Sequence, residues 1–309
     1  MEMAPGQKAF FKDDDRLPVF NLYQGLEVPP ETNRAAPEPK IYLDHLLYVY
    51  ESQEKLDHVL QWMSHLLYRP ETRINHGLCL SGKQGTGKST IAKVLKKLIG
   101  RRHVGNVTPS EFTSNFQDWM LNIRLAIIEE IREYGGHSSY NKVKHLFTED
   151  VVPINPKGQT RYEINNHLHF MFFSNHHYPI PLEDGDRRIH YVHSNADARD
   201  AEYYNELYTY LDLDGSGHGA WEFGRYLKDI ILPDVAADFA SKPPPRTKEH
   251  MAAVQAATNP IEDFIKERRE EKEDFYAPGY IFHWKKLKDD LRGSTMSGVT
   301  SGGQFGYIL

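Results

Sequence analysis

The sequence predicts an α/β fold that carries a phosphate-binding loop, and three observations support this. Short apolar runs of strand length alternate with longer stretches of helical spacing, the pattern of a sheet with helices on its faces. One such run, Gly77–Leu80, leads into Gly82-Lys83-Gln84-Gly85-Thr86-Gly87-Lys88-Ser89, which fits the G-x-x-x-x-G-K-[ST] pattern at all of its fixed positions. A second run, Ile123–Ile128, ends about 40 residues later on the paired carboxylates Glu129 and Glu130.

The elements follow in order. Residues 1–40 have little periodicity and contain Pro29-Pro30 and Pro37-Glu38-Pro39, which reads as an extended lead-in. Over 41–72 apolar residues recur at helical spacing, from Leu46 and Leu47 to Leu66 and Leu67, until Pro70 ends the pattern; one or two helices are expected. The core, 73–235, opens with the strand Gly77–Leu80 and a helix over Ser89–Ile99. A helix about Pro109–Trp119, the strand Ile123–Ile128 and a helix about Ser138–Phe147 come next. The alternating segment Val151–His167 holds Pro156-Lys157-Gly158 and predicts a hairpin with its tip near Lys157. A strand over Leu168–Ser174 and helices over Ala198–Leu211 and Ala220–Ile231 complete the core. Residues 236–309 begin with a linker, Ser241-Lys242-Pro243-Pro244-Pro245, and continue into a small α-rich module with helices at Asn259–Arg269 and His283–Leu291. The cluster His283-Trp284-Lys285-Lys286-Leu287-Lys288 suits either a winged-helix-like binding helix or an amphipathic helix with a solvated lysine face.

Composition narrows the class. With 39% hydrophobic and 26% charged residues the chain has an ordinary globular balance. No run nears the roughly 18 apolar residues of a membrane span, and the charged start is not a secretory signal. The single cysteine, Cys79, excludes an internal disulfide and fits a reducing, cytoplasmic location. A net charge of −6 does not announce a nucleic-acid binder, although a ring can confine its positive charge to a channel.

The motif chemistry is specific. Glycines let successive backbone N–H groups converge on phosphate oxygens while the following helix points its positive end at them. Gly82, Lys83, Gln84, Gly85, Thr86, Gly87, Lys88, Ser89 and Thr90 are therefore the candidate ATP-binding residues, with Lys88 as the cation and Ser89 as a magnesium ligand. Glu129 is assigned to the metal and Glu130 to the attacking water. The apolar run His169–Ser174 delivers Asn175, an amide suited to holding that water. In Asp184-Gly185-Asp186-Arg187-Arg188 either arginine is a candidate to reach a neighbour's γ-phosphate, the other pairing with Asp186. The sixteen histidines, His167, His169, His176, His177, His190 and His193 among them, lack the partners of a zinc motif and are read as structural or surface residues. The tyrosine-rich stretch Tyr203–Tyr210 could stack bases, but is read first as helix packing.

In this order, with a lysine-bearing hairpin between the acidic and amide motifs, the chain resembles the superfamily 3 helicases. It is most similar to the helicase domains of phage and plasmid primase-polymerases and poxvirus-like primase-helicases. The likeness spans residues 18–265. It implies an AAA+-like P-loop NTPase core in a ring, commonly a homo-hexamer, that hydrolyses ATP with Mg2+ between subunits and moves along single-stranded DNA. The family's pore lysine would be Lys157, with Lys144 and Arg161 in support. Such helicases usually follow a primase-polymerase domain, so the chain is expected to be part of a longer polypeptide. Two other readings compete: a switch ATPase that loads or remodels protein, and a small-molecule P-loop kinase.

Overall fold

The computed structural model describes residues 3–5, 7–12, 18–23, 25–26, 37–112, 114–130, 140, 144–156, 158 and 160–258. A short antiparallel pair, β1 (Phe10–Lys12) and β2 (Pro18–Phe20), comes first. Two helices follow, α1 (Lys40–Tyr50) and α2 (Gln53–Tyr68). Glu51 separates them in the left-handed region at φ 55°, its N–H closing on Leu47 O, so the helical stretch is two helices.

The remaining elements build the expected α/β architecture around a five-stranded parallel sheet. Its members are β3 (Gly77–Gly82), β4 (Val104–Val107), β5 (Leu125–Ile128), β8 (His169–Ser174) and β9 (Ile189–Ser194). The spatial order is β4-β5-β8-β3-β9. Helix α3 (Ser89–Ile99) carries the chain from β3 to the far edge strand β4. The gap left beside β3 is filled by β8, later in sequence. A separate hairpin pairs β6 (Val151–Ile154) with β7 (Tyr162–Asn165), as the alternation predicts; its expected tip, Lys157, lies outside the described residues.

Both faces of the sheet are covered, which is why its strands read as continuous apolar runs. Leu78, Leu80, Leu125, Ile127, Met171, Phe173 and Val192 join one core with α1, α2 and α3. Their sequence neighbours Cys79, Ala126, Ile128, Phe170, Phe172 and Tyr191 join a second core on the opposite face. Burying a side chain such as Leu125 or Phe172 contributes about 1.5–3 kcal/mol.

Several expectations need correction. The helix about Pro109–Trp119 shrinks to α4 (Pro109–Phe112) and a 3-10 turn at Asp118–Met120. Thr108 and Glu111 cap its start reciprocally, but the Ser114 hydroxyl then accepts from Phe116 N and diverts the backbone. In the predicted 138–147 helix, Lys144–Phe147 is a 3-10 turn and most of the rest lies outside the described residues. Strands β4 and β9 were not anticipated. In β9 the histidines disguise a fully buried strand, since His190 and His193 find polar partners inside.

Beyond the β9 strand come α5 (Ala201–Leu211), capped by Asp200, then α6 (His218–Tyr226) and a π-helical turn over Leu227–Ile231. Residues 236–258, expected as linker and C-terminal module, lie on the sheet. Phe239 and Ala240 enter the first core, and Ala253 of α7 (Lys248–Thr258) enters the second. The predicted helices at 259–269 and 283–291 lie outside the described residues. Among those described, no helix is long and apolar enough to cross a membrane.

Candidate functional site

Strand register assembles the site. Ser81 of β3 lies beside Ser174 of β8, and Ile128 of β5 beside Phe172, so the residues just past these strands emerge along one carboxyl edge. In open parallel sheets this is the edge where ligands bind, at the point where chain connections diverge. The glycine-rich loop, Glu129-Glu130 and Asn175 all sit there.

The loop is built around Lys88. Its ammonium is buried and donates to the carbonyls of Gly82 (2.6 Å) and Lys83 (2.5 Å), with Asn175 Oδ1 at 3.4 Å. Asn175 Nδ2 in turn donates to Glu130 Oε1 at 2.9 Å. One polar chain thus links an ammonium at the start of α3, an amide just past β8 and a carboxylate just past β5. Burial pulls the Lys88 pKa down to about 8, with the Glu130 carboxylate opposing. Glu130 itself adopts φ 55°, a left-handed backbone that costs a non-glycine residue of order 1–3 kcal/mol.

Two glycines are required by close approach. At Gly82 (φ 146°) a Cβ would lie 2.5 Å from Ser194 O, and at Gly87 (φ 86°) it would lie 2.6 Å from His45 Cε1. His45, buried in α1, donates from Nε2 to Gly87 O at 3.4 Å, which leaves Nδ1 to accept from the Tyr203 hydroxyl at 3.0 Å. Lys83 pairs on the surface with Asp197 at 2.5 Å. Thr86 bonds back to Lys83 O, and the fully buried Thr90 hydroxyl has no partner among the described residues. Gln84 and Gly85 are exposed. Ser89 and Glu129, both exposed, line one cleft of about 780 Å³.

Sequence reasoning missed His45, Tyr203 and Ser194. A histidine on an apolar helix face reads as core, and nothing local marks it as touching a loop 42 residues away.

Other candidates stand elsewhere. Arg187 and Arg188 precede β9 at the amino edge of the sheet, because Ile189 is level with Gly77 while Ser194 is level with Gly82. Five residues of strand, about 17 Å, separate them from the loop of their own chain. Arg188 is the one that turns to Asp186, its backbone N–H donating to Oδ1 at 2.9 Å and its guanidinium at 3.8 Å; Arg187 is exposed. Lys144 is held by Glu183 at 2.7 Å and lies over the Tyr140 ring, while Arg161 is exposed just before β7. His169 is wholly buried, accepting from Ile74 N through Nε2. Burial drives its pKa well down, with the Arg124 charge adding to the effect.

Comparison with known proteins locates the chain among relatives. A family model described as a family of unknown function (DUF5906) matches residues 80–188, from the end of β3 to the start of β9. The chain is 26% identical over 196 residues to the DNA primase-polymerase of Nitratiruptor phage NrS-1. That match covers 62% of this chain and 27% of the phage protein, so the chain spans about a quarter of the curated relative's length. Apo structures of the NrS-1 C-terminal region share the fold: one has TM-score 0.68 at 21% identity, covering 96% of this chain and 71% of that one. Its A form gives 0.67 at 21%, with coverage of 96% and 72%.

Proposed function

We propose that the chain is the ATP-hydrolysing helicase part of a phage replication protein of the primase-polymerase type, working as a ring on single-stranded DNA. The observation that carries this reading is the linked trio Lys88, Asn175 and Glu130 at the carboxyl ends of three neighbouring strands.

The residues present suit a triphosphate with magnesium. Glycines 82, 85 and 87 hold the positive φ that a phosphate-cradling loop requires, and Lys88 and the Thr90 hydroxyl, without a partner among the described residues, offer donors. Ser89 and Glu129 share the cleft at the loop and would hold the metal between hydroxyl and carboxylate. Bound there, the metal would neutralise charge developing on the transferred phosphoryl group. Glu130 orients water and accepts its proton; Asn175 fixes the Glu130 carboxylate and reports its position to Lys88. Lys88 stays cationic near neutral pH and steadies the outer phosphates.

Arg187 and Arg188 cannot serve their own loop from the amino edge of the sheet, which fits a role supplied to the adjoining subunit. The similarity to the NrS-1 primase-polymerase supports the choice of phage DNA replication as the setting.

The test is phosphate release from Mg-ATP with and without single-stranded oligonucleotide. Turnover should be stimulated by the strand and abolished by Lys88→Ala. Turnover that ignores the strand would favour a protein-remodelling switch, and absence of any turnover at any protein concentration would sink the proposal.

A further inference from the structure

The cleft that begins at Ser89 and Glu129 extends along α3, and its walls are basic. Lys93, Lys96 and Lys97 on α3 and Arg101 just beyond it line the groove, against only two carboxylates, Glu129 and Asp214. This local excess of positive charge stands out in a chain of net charge −6.

Structural duties account for only part of it. Lys97 is spent on fold: its ammonium donates to the carbonyls of Leu213 and Gly215, each at 3.1 Å. Lys96 and Lys97 also gain from the negative end of the α3 dipole. Lys93 and Arg101 lie outside that last turn and are exposed, and no carboxylate among the described residues pairs with Lys93, Lys96 or Arg101. Like charges three or four apart on one helix face repel, so Lys93 and Lys96 favour an anion beside them.

The spacing suggests which anion. Lys93 and Lys96 stand about 4.5 Å apart along the helix axis, with Arg101 just past its end, so the three cations form a row that an extended polyanion can follow. The groove also offers an aromatic face: Tyr208 is 45% exposed, with the Lys93 ammonium 6.0 Å from its ring centroid. Cations that track a backbone beside an exposed aromatic ring are the composition of a single-strand binding groove.

We propose that this groove binds the phosphodiester backbone of a single-stranded nucleic acid, with Lys93, Lys96 and Arg101 contacting phosphates and Tyr208 stacking on a base. The contact is distinct from the β6–β7 hairpin. The site rests on the groove residues; only the choice of strand rests on the helicase reading.

The experiment measures binding of a fluorescent single-stranded oligo-dT to the full chain by anisotropy, without nucleotide, across a salt series. The Lys93→Glu/Lys96→Glu/Arg101→Glu variant should weaken binding at least about tenfold and flatten the slope of log K against log salt by about 2, at roughly 0.7 per contact for single strands. The milder Lys93→Gln/Lys96→Gln/Arg101→Gln variant, checked by thermal melting, should flatten it in the same way if charge reversal disturbs folding. Tyr208→Ala should weaken binding without changing the slope. Tripolyphosphate binding at the glycine-rich loop, read in parallel, should survive these changes; its absence in the wild type would overturn the nucleotide reading and leave the groove intact. Unaltered affinity and slope in both charge variants would overturn the groove proposal, as would a preference for an acidic peptide over the strand.

Discussion

Asn175 stands between two opposite charges: its amide nitrogen meets Glu130 Oε1 at 2.9 Å, and its amide oxygen faces Lys88 Nζ at 3.4 Å. A side-chain amide is neutral yet offers a donor to a carboxylate from its nitrogen and an acceptor to an ammonium from its oxygen. Replacing either end therefore has a specific consequence.

Glu130→Gln keeps an acceptor for Asn175 and removes the charge. Turnover of Mg-ATP should fall roughly 10²–10⁴-fold, while triphosphate affinity holds, as measured by calorimetry. Asn175→Asp should lower turnover too, because it sets two carboxylates against each other. Normal turnover in Glu130→Gln would remove that residue from chemistry.

Lys88 gives a pH dependence with a definite sign. Burial lowers its pKa to about 8 from 10.5. Tripolyphosphate affinity should be flat below about pH 8 and fall above it, as the free protein loses the cation. In Glu130→Gln the supporting negative charge is gone, so the fall should begin at lower pH. Folding stability moves the other way: from pH 8 to 10.5 the unfolded chain holds the proton more tightly, so this group's burial penalty is relieved as pH rises. Affinity that stays level to pH 9.5 would contradict the assignment.

Gly87→Ala and Gly185→Ala separate crowding from backbone strain. Both positions have φ near 85°, but a Cβ at 87 meets His45 at 2.6 Å whereas at 185 it meets nothing within 4 Å. Urea unfolding should show a cost of order 1 kcal/mol at Gly185 and about 1–3 kcal/mol more at Gly87. His45→Ala placed on Gly87→Ala should recover part of the difference. Equal costs at the two positions would refute the close approach.

Acid should destabilise the fold before its carboxylates titrate. His76 is lowered to about 3, and His190 and His193 to about 4, chiefly by burial, against 6.5 when exposed. His76 also has His58 Nε2 at 3.1 Å from its own Nε2, so the two share a single N–H. Neutral histidines inside stabilise the fold fully above about pH 6.5. That stability drains as pH falls toward 4, at up to about 1.4 kcal/mol per pH unit for each group. Urea midpoints at pH 7.5, 6 and 5 should decline, and His190→Gln should shallow the decline. A constant midpoint would show the burial to be misjudged.

The loop and the acidic and amide strand ends were legible because each is fixed by local sequence: an eight-residue pattern, or a hydrophobic run that stops on a polar group. Partners supplied by distant elements were not. Lys144 reads as a free cation until Glu183, 39 residues on, is found against it. Arg124 falls inside the predicted strand Ile123–Ile128, where nothing local marks its partners, yet it is fully buried and donates to the Tyr23 hydroxyl and Leu66 O. The β9 strand escaped notice because hydropathy scores histidine as polar, although imidazole kept neutral by burial packs as an aromatic.

The strand order has one further effect. The connection from β3 passes first to the outermost strand, and the sheet is completed between them only when β8 arrives some 87 residues after Lys88, bringing Asn175. A nascent or partly unfolded chain that has made its glycine loop still lacks the amide bridging to Glu130. On the proposed hydrolase reading, the trio is therefore complete only once β8 has docked between β5 and β3, and a chain stopped short of that step would be held idle by topology alone.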